Sequence, residues 1–122
     1  MQAGTRGDDM IVAVTEDLML RTRLEAAAPP AGIRVTQNLA EAGSLAREAS
    51  LLLVDLDYGA GEVGVLLSGV RRLAERPRVI GWVTHVRWKE SEPLHRLCDR
   101  VVTRRDLVAE LPAILEEPPR AG

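Results

Sequence analysis

Five short apolar runs, each of strand length and rich in β-branched residues, recur at intervals of roughly twenty residues: Met10–Val14, Ile33–Val35, Leu51–Val54, Val79–Val83 and Arg100–Val102. Helix-spaced apolar residues separate them: Leu18, Leu20, Leu24 and Ala27; Leu39, Ala42, Leu45 and Ala46; Val63, Leu66, Leu67, Val70, Leu73 and Ala74; Leu94 and Leu97; and Leu107, Val108, Leu111, Ile114 and Leu115. Strands that are apolar throughout rather than alternately are buried on both faces, and helices between them are the crossovers that parallel pairing requires. The pattern predicts an α/β fold: a three-layer, doubly wound, five-stranded parallel sheet, for which right-handed crossovers favour the strand order 2-1-3-4-5.

A chain of 122 residues accommodates one such unit and not two, so residues 10–116 are expected to form a single domain with flexible tails at 1–9 and 117–122. Asn38 with Glu41 three residues later reads as a capping box, Pro29-Pro30-Ala31-Gly32 as the stop of the first helix, and Arg76-Pro77 as the stop of the third. The 46% apolar content supports a core, but with two Trp, one Tyr and no Phe that core must be aliphatic. A single cysteine, Cys98, excludes a disulfide framework and a cysteine zinc site, and reads as a small buried residue. No stretch reaches the roughly 18 apolar residues of a membrane span, and Met1–Asp9 lacks the pattern of a secretory signal. A cytoplasmic protein with no membrane partner is the expectation.

Charge is segregated. Residues 1–70 hold five Arg against ten acids, residues 71–105 hold ten Arg or Lys against four acids, and the net charge is -2. Nucleic-acid binders carry a basic balance overall, so a nucleic-acid partner is disfavoured. Arg87, Lys89, Arg96, Arg100, Arg104 and Arg105 fall on elements that neighbour one another in this topology. They are expected to form a basic surface around Trp88, with Trp88, Arg100, Arg104 and Arg105 as candidate contacts for a protein partner or a second copy of the chain.

In doubly wound sheets ligands bind outside the carboxyl ends of the strands where the order reverses. Thr15-Glu16-Asp17 follows the first strand, Asp55-Leu56-Asp57 the third, Thr84-His85 the fourth and Thr103-Arg104-Arg105 the fifth. The pocket is therefore expected to contain Thr15, Asp57, Thr84, Thr103 and Arg104, with Glu16, Asp17 and Asp55 as candidate ligands for Mg²⁺, which takes carboxylate oxygens and water. A purely structural account assigns Thr15 or Asp17 to capping the first helix and Asp55 or Asp57 to capping or turning the next loop.

The arrangement resembles the receiver domain of bacterial response regulators over Met10–Leu115. In that family an acidic pair after the first strand binds Mg²⁺, an Asp ending the third accepts a phosphoryl group, a Thr or Ser ends the fourth, and a Lys ends the fifth. The corresponding residues here are Thr15-Glu16, Asp55, Thr84 and Thr103-Arg104. The resemblance thus implies Asp55 as phosphoacceptor, while one acid is lost to Thr15 and the lysine is absent. The stretch between Thr84 and Thr103 is short, implying an abbreviated fourth helix. Phosphoryl transfer to a carboxylate needs a metal and a fixed cation to neutralise developing charge, and a forked guanidinium is no geometric replacement for an ammonium. The expected function is a stand-alone, non-enzymatic signalling module of the two-component type, acting through protein contacts, with aspartyl phosphorylation absent or inefficient and Mg²⁺ at most weak. The alternatives are a phosphorylatable receiver using Asp55 and Mg²⁺, a fragment of a larger regulator, and a small-ligand-binding flavodoxin-like domain.

Overall fold

The computed structural model describes residues 10–27, 32–57 and 60–116. In chain order these form β1 (Ile11–Val14), α1 (Leu18–Ala27), β2 (Ile33–Thr36), α2 (Leu39–Ala46), β3 (Leu51–Asp55), α3 (Ala60–Arg71), β4 (Arg78–Val83), a 3-10 turn (His85–Arg87), α4 (Glu92–His95), β5 (Arg100–Thr103), α5 (Arg104–Ala109) and α6 (Leu111–Leu115). The strands make one parallel sheet in the order β2-β1-β3-β4-β5, as the alternation of strand and helix predicts. Both expected tails, 1–9 and 117–122, lie outside the described residues.

Successive strand residues point to opposite faces, and each face has its own core. Val12, Val14, Leu52, Val54, Val79 and Val83 meet Ala42, Ala46, Val63, Leu67, Val70 and Leu94 from α2, α3 and α4. Ile11, Ala13, Leu51, Leu53, Ile80, Trp82 and Val102 meet Leu20, Leu24, Leu107, Leu111, Ile114 and Leu115 from α1, α5 and α6. Burying each such leucine is worth about 2 kcal/mol, so the uninterrupted apolar runs drive the three-layer arrangement. Register then aligns the strand ends: Val14 lies opposite Thr36 and Val54, Asp55 opposite Trp82, and Val83 opposite Thr103.

Four local expectations are corrected. Leu18 is 71% exposed, because α1 buries Leu20 and Leu24 and a residue two positions away is turned by about 200°. Helix α3 stops at Arg71, well before Pro77: Arg72 and Leu73 donate to the carbonyls three residues back, Gly69 and Val70, and this tightened turn brings Leu73 against the core. The single last helix divides at Glu110, because Pro112 has no N–H to give Val108; Glu110 N bonds Asp106 O, and Ile114 N bonds Glu110 O. Only half of the capping box forms. Asn38 Oδ1 accepts from Glu41 N at 2.9 Å, but the Glu41 carboxylate accepts from the Thr36 hydroxyl, which itself accepts from Asn38 N. Of the proline-rich stop after α1, 28–31 lie outside the described residues, while Gly32 has φ +89, the left-handed conformation that glycine adopts freely.

Candidate functional site at the carboxyl edge of the sheet

Thr15 follows β1 and is buried, its amide tied to the Thr36 carbonyl at 3.0 Å. Its hydroxyl donates to Asp55 Oδ2 at 2.8 Å and accepts from Asp17 N at 3.0 Å. The second Asp55 oxygen accepts from Asp57 N at 2.9 Å. Both oxygens of the expected phosphoacceptor are thus engaged by the protein. Burial raises the pKa of Asp55, and the charges of Asp57 and Asp17 act in the same direction; the Thr15 hydroxyl and the Asp57 amide oppose them.

Asp17 caps α1, with Oδ1 accepting from Leu20 N at 2.9 Å. Its other oxygen receives Arg104 Nε at 3.1 Å and Nη2 at 2.6 Å, from the first residue of α5. The pKa of Asp17 is lowered: the Leu20 amide is the largest cause, burial opposes it, and the hydrogen bond and charge of Arg104 together with the Met19 amide lower it further. Thr103 caps α5 through its hydroxyl, which accepts from Asp106 N at 3.1 Å. Asp17 therefore does the capping that the structural account assigns to it, and Thr103, expected only as a pocket residue, caps α5 as well.

Asp57 lies across the mouth. Its Oδ2 accepts from Thr84 N at 3.0 Å, holding the β3 and β4 loops together. Arg87 Nε stands 3.2 Å from Oδ1 as an ion pair, yet no N–H is aimed at that buried oxygen. Arg87 also pairs with Glu90. Its reach into the pocket was not among the sequence expectations; the usable signal is its place three residues after Thr84, close enough to the β4 end to turn back over the edge.

The four carboxylates are not alike. Glu16 is exposed, Asp17 and Asp55 have both oxygens engaged, and Asp57 has one oxygen on an amide and one beside a guanidinium. Among the described residues no group of three or more His, Cys, Asp or Glu is placed to hold a metal ion. Of the described oxygens buried in the site only Asp57 Oδ1 lacks a hydrogen bond, and Arg87 stands beside it, so the set offers a hard cation few uncommitted donors.

Half of the expected basic surface is paired within the chain. Arg100 Nη2 meets Glu110 Oε1 at 2.9 Å, Arg104 meets Asp17, and Arg87 meets Asp57 and Glu90, while Arg105, Arg96 and Lys89 are exposed. Trp88 is half-buried against the α2–α4 core, with its ring edge-on to His95 at 4.8 Å. Ser91 donates its one hydroxyl proton to Trp88 O, so the 2.8 Å contact with His95 Nε2 requires that nitrogen to carry the proton. Trp88 is therefore fastened into its own fold. His85 is exposed, and Cys98 packs against the core, where burial pushes its thiol up to about 12.

No protein-family model and no curated protein matches this sequence. Solved structures do. The REC domain of AraT, a response regulator from Geobacillus stearothermophilus, superposes with a TM-score of 0.66 at 16% identity over 88% of this chain and 95% of its own. The fold is that of a receiver domain. The phosphorylated cyanobacterial phytochrome response regulator RcpA gives 0.61 at 18% identity, covering 88% of each chain. A protein described as a CpaE2 pilus assembly protein from Sinorhizobium meliloti gives 0.60 at 16% identity over 84% of this chain and 96% of its own. The short α4 and the 3-10 turn before it are this receiver-like fold's version of the region between Thr84 and Thr103. No helix among the described residues is long and apolar enough to cross a membrane.

Proposed function

We propose that this chain is a receiver-like signalling module that works in the cytoplasm by binding a protein partner, not by catalysis, and that its Asp55 is phosphorylated poorly or not at all. The pairing of Arg104 with Asp17 is the observation that carries the reading. In an acidic pocket the phosphoryl group needs compensating positive charge. Here the cation at the end of β5 is directed onto Asp17, the same carboxylate that would otherwise be available to Mg²⁺. Asp55 in turn accepts a hydroxyl and an amide hydrogen bond on its two oxygens, and each such bond draws charge from the oxygen that would attack and lowers its nucleophilicity. Weak Mg²⁺ binding follows from the same arrangement.

Intact mass after incubation with Mg²⁺ and acetyl phosphate tests this directly. The expected spectrum is that of the unmodified chain. Stoichiometric acylphosphate that disappears in Asp55→Asn would establish the phosphorylatable alternative instead. Contact with a partner is expected to depend little on Arg100 and Arg104, since both are paired within the chain; a pull-down in which the folded Arg100→Glu, Arg104→Glu double variant loses its partner would restore the basic surface to the mechanism.

A further inference from the structure

We propose that the groove between α2 and α3 is a docking surface for a second copy of this chain, seated antiparallel on the first. Two overlapping concavities of about 470 and 330 Å³ run between these helices and share Leu39, Ala40, Val65 and Leu66 in their lining. Val65 projects from α3 with 75% of its surface exposed, in contrast to its neighbours Leu66 and Leu67, which are buried.

The floor of the groove is lowered by glycines that the fold itself does not require. Gly43 and Gly69 lie within α2 and α3, and positive φ among the described residues occurs only at Gly32. A Cβ at Gly69 would meet nothing within 4 Å, and one at Gly43 would make an ordinary 3.6 Å contact with Leu66. Glycine inside a helix is destabilising relative to alanine, so the isolated chain would be more stable with alanine at both positions. What the missing methyl groups leave is room for another element to approach the helix backbones closely.

Charge identifies the occupant. Helices α2 and α3 both follow strands of a parallel sheet, so they run in the same direction. Glu62 lines the groove where α3 begins, and Arg47 lines it where α2 ends. Both are exposed, and neither makes an ion pair among the described residues. A two-fold axis across the groove lays Glu62 of each copy against Arg47 of the other and brings the two Val65 side chains together over the glycine floor. Such a contact is self-complementary, as an isologous dimer demands. A parallel arrangement would oppose like charges.

Sedimentation of the full chain over a concentration series reaching the millimolar range tests the proposal, with folding of each variant checked by circular dichroism. A monomer–dimer equilibrium weakened by salt is expected. Glu62→Arg and Arg47→Glu should each weaken it about tenfold or more, and the double variant should restore it. Gly69→Ala separates association from folding: it should raise the melting temperature of the dilute monomer while weakening the dimer. A wild-type chain that stays monomeric overturns the proposal, as does a dimer indifferent to Val65→Asp. Failure of the double variant to recover would overturn the antiparallel seating.

Discussion

Arg104, at the first position of α5, places two nitrogens on one oxygen of Asp17, 87 residues earlier in the chain, at 3.1 and 2.6 Å. The contact joins the starts of α1 and α5 across the end of the sheet. It also makes the charge at the end of β5 part of the scaffold.

Asp17 therefore has two separable contributions. Its Leu20 hydrogen bond caps α1, and loss of such a cap costs about 1 kcal/mol. The ion pair is partly exposed, with side chains 29% and 38% accessible, which limits it to about 0.5 kcal/mol. Asp17→Ala is expected to lose about 1–2 kcal/mol in urea denaturation, and Arg104→Ala about 0.5 kcal/mol. Combining them in a double-mutant cycle should recover the pair energy alone. A coupling indistinguishable from zero would mean that Arg104 is not held by Asp17 in solution.

Asp55 and Asp17 should respond to pH in opposite senses. Burial raises the pKa of Asp55 in the folded state, so its favourable contribution is present below the ordinary carboxylate range and is lost as pH rises through the raised value. Asp17, with its pKa lowered, contributes stability above the ordinary range and loses it as pH falls through the lowered value. Asp55→Asn is thus expected to be neutral or stabilising by up to about 1 kcal/mol at neutral pH, with the advantage vanishing in acid. Thermal melts of both proteins across that range decide it. A variant less stable than wild type at neutral pH would show that the bonds from Thr15 and Asp57 outweigh the burial of the charge.

The parts of this fold that depend on pattern could be read from the sequence, and those that depend on distant partners could not. Uninterrupted apolar strands and helical spacing give the sheet and its order, which in turn bring Thr15, Asp55, Asp57 and Thr84 to one edge. Which donor meets which acid is a different matter. Arg104 could have extended toward Asp55 or Asp17, and the choice follows from where α5 begins and how Asp17 is turned by capping α1. Arg87 reaches Asp57 only because the chain after β4 folds into a 3-10 turn, a short element with no periodicity to read. The division of the last helix was legible in principle from Pro112, whereas the end of α3 at Arg71 was not, because no proline or positive-φ glycine marks it.

Close packing around the middle of β4 yields a third expectation. A Cβ at Gly81 would lie 3.0 Å from both Cys98 Sγ and Leu56 Cδ1 and 3.1 Å from Leu56 Cγ. Gly81→Ala should therefore destabilise by about 1–3 kcal/mol, as overpacked cores do. Cys98→Ala in the same chain removes one of the two obstacles and should recover part of the loss. The same burial, which pushes the Cys98 thiol up to about 12, makes it inert to thiol reagents in mildly alkaline buffer until the protein unfolds. Rapid labelling of the native protein would contradict that packing.

At the opposite end of the sheet, Arg76 and Asp99 form a forked pair, Nη1 to Oδ2 at 3.3 Å and Nη2 to Oδ1 at 3.1 Å, with side chains only 14% and 8% exposed. Asp99 Oδ2 also accepts from Val79 N at 2.7 Å, while Asp99 N donates to Val79 O at 2.8 Å. One carboxylate therefore secures the incoming segment of β4 to that of β5 and neutralises a buried guanidinium. Asp99→Ala leaves the Val79 amide and the guanidinium without this acceptor and should cost about 3–5 kcal/mol, the range found when one partner of a buried pair is removed. Asp99→Asn retains an oxygen for Val79 and removes only the charge, so its loss should be smaller. Arg76→Ala should also fall below Asp99→Ala, because the carboxylate keeps the Val79 bond and gains access to water. Urea titrations of the three variants give the order, and an Asp99→Ala cost below about 1 kcal/mol, the level of an exposed pair, would show that the clamp is open to solvent.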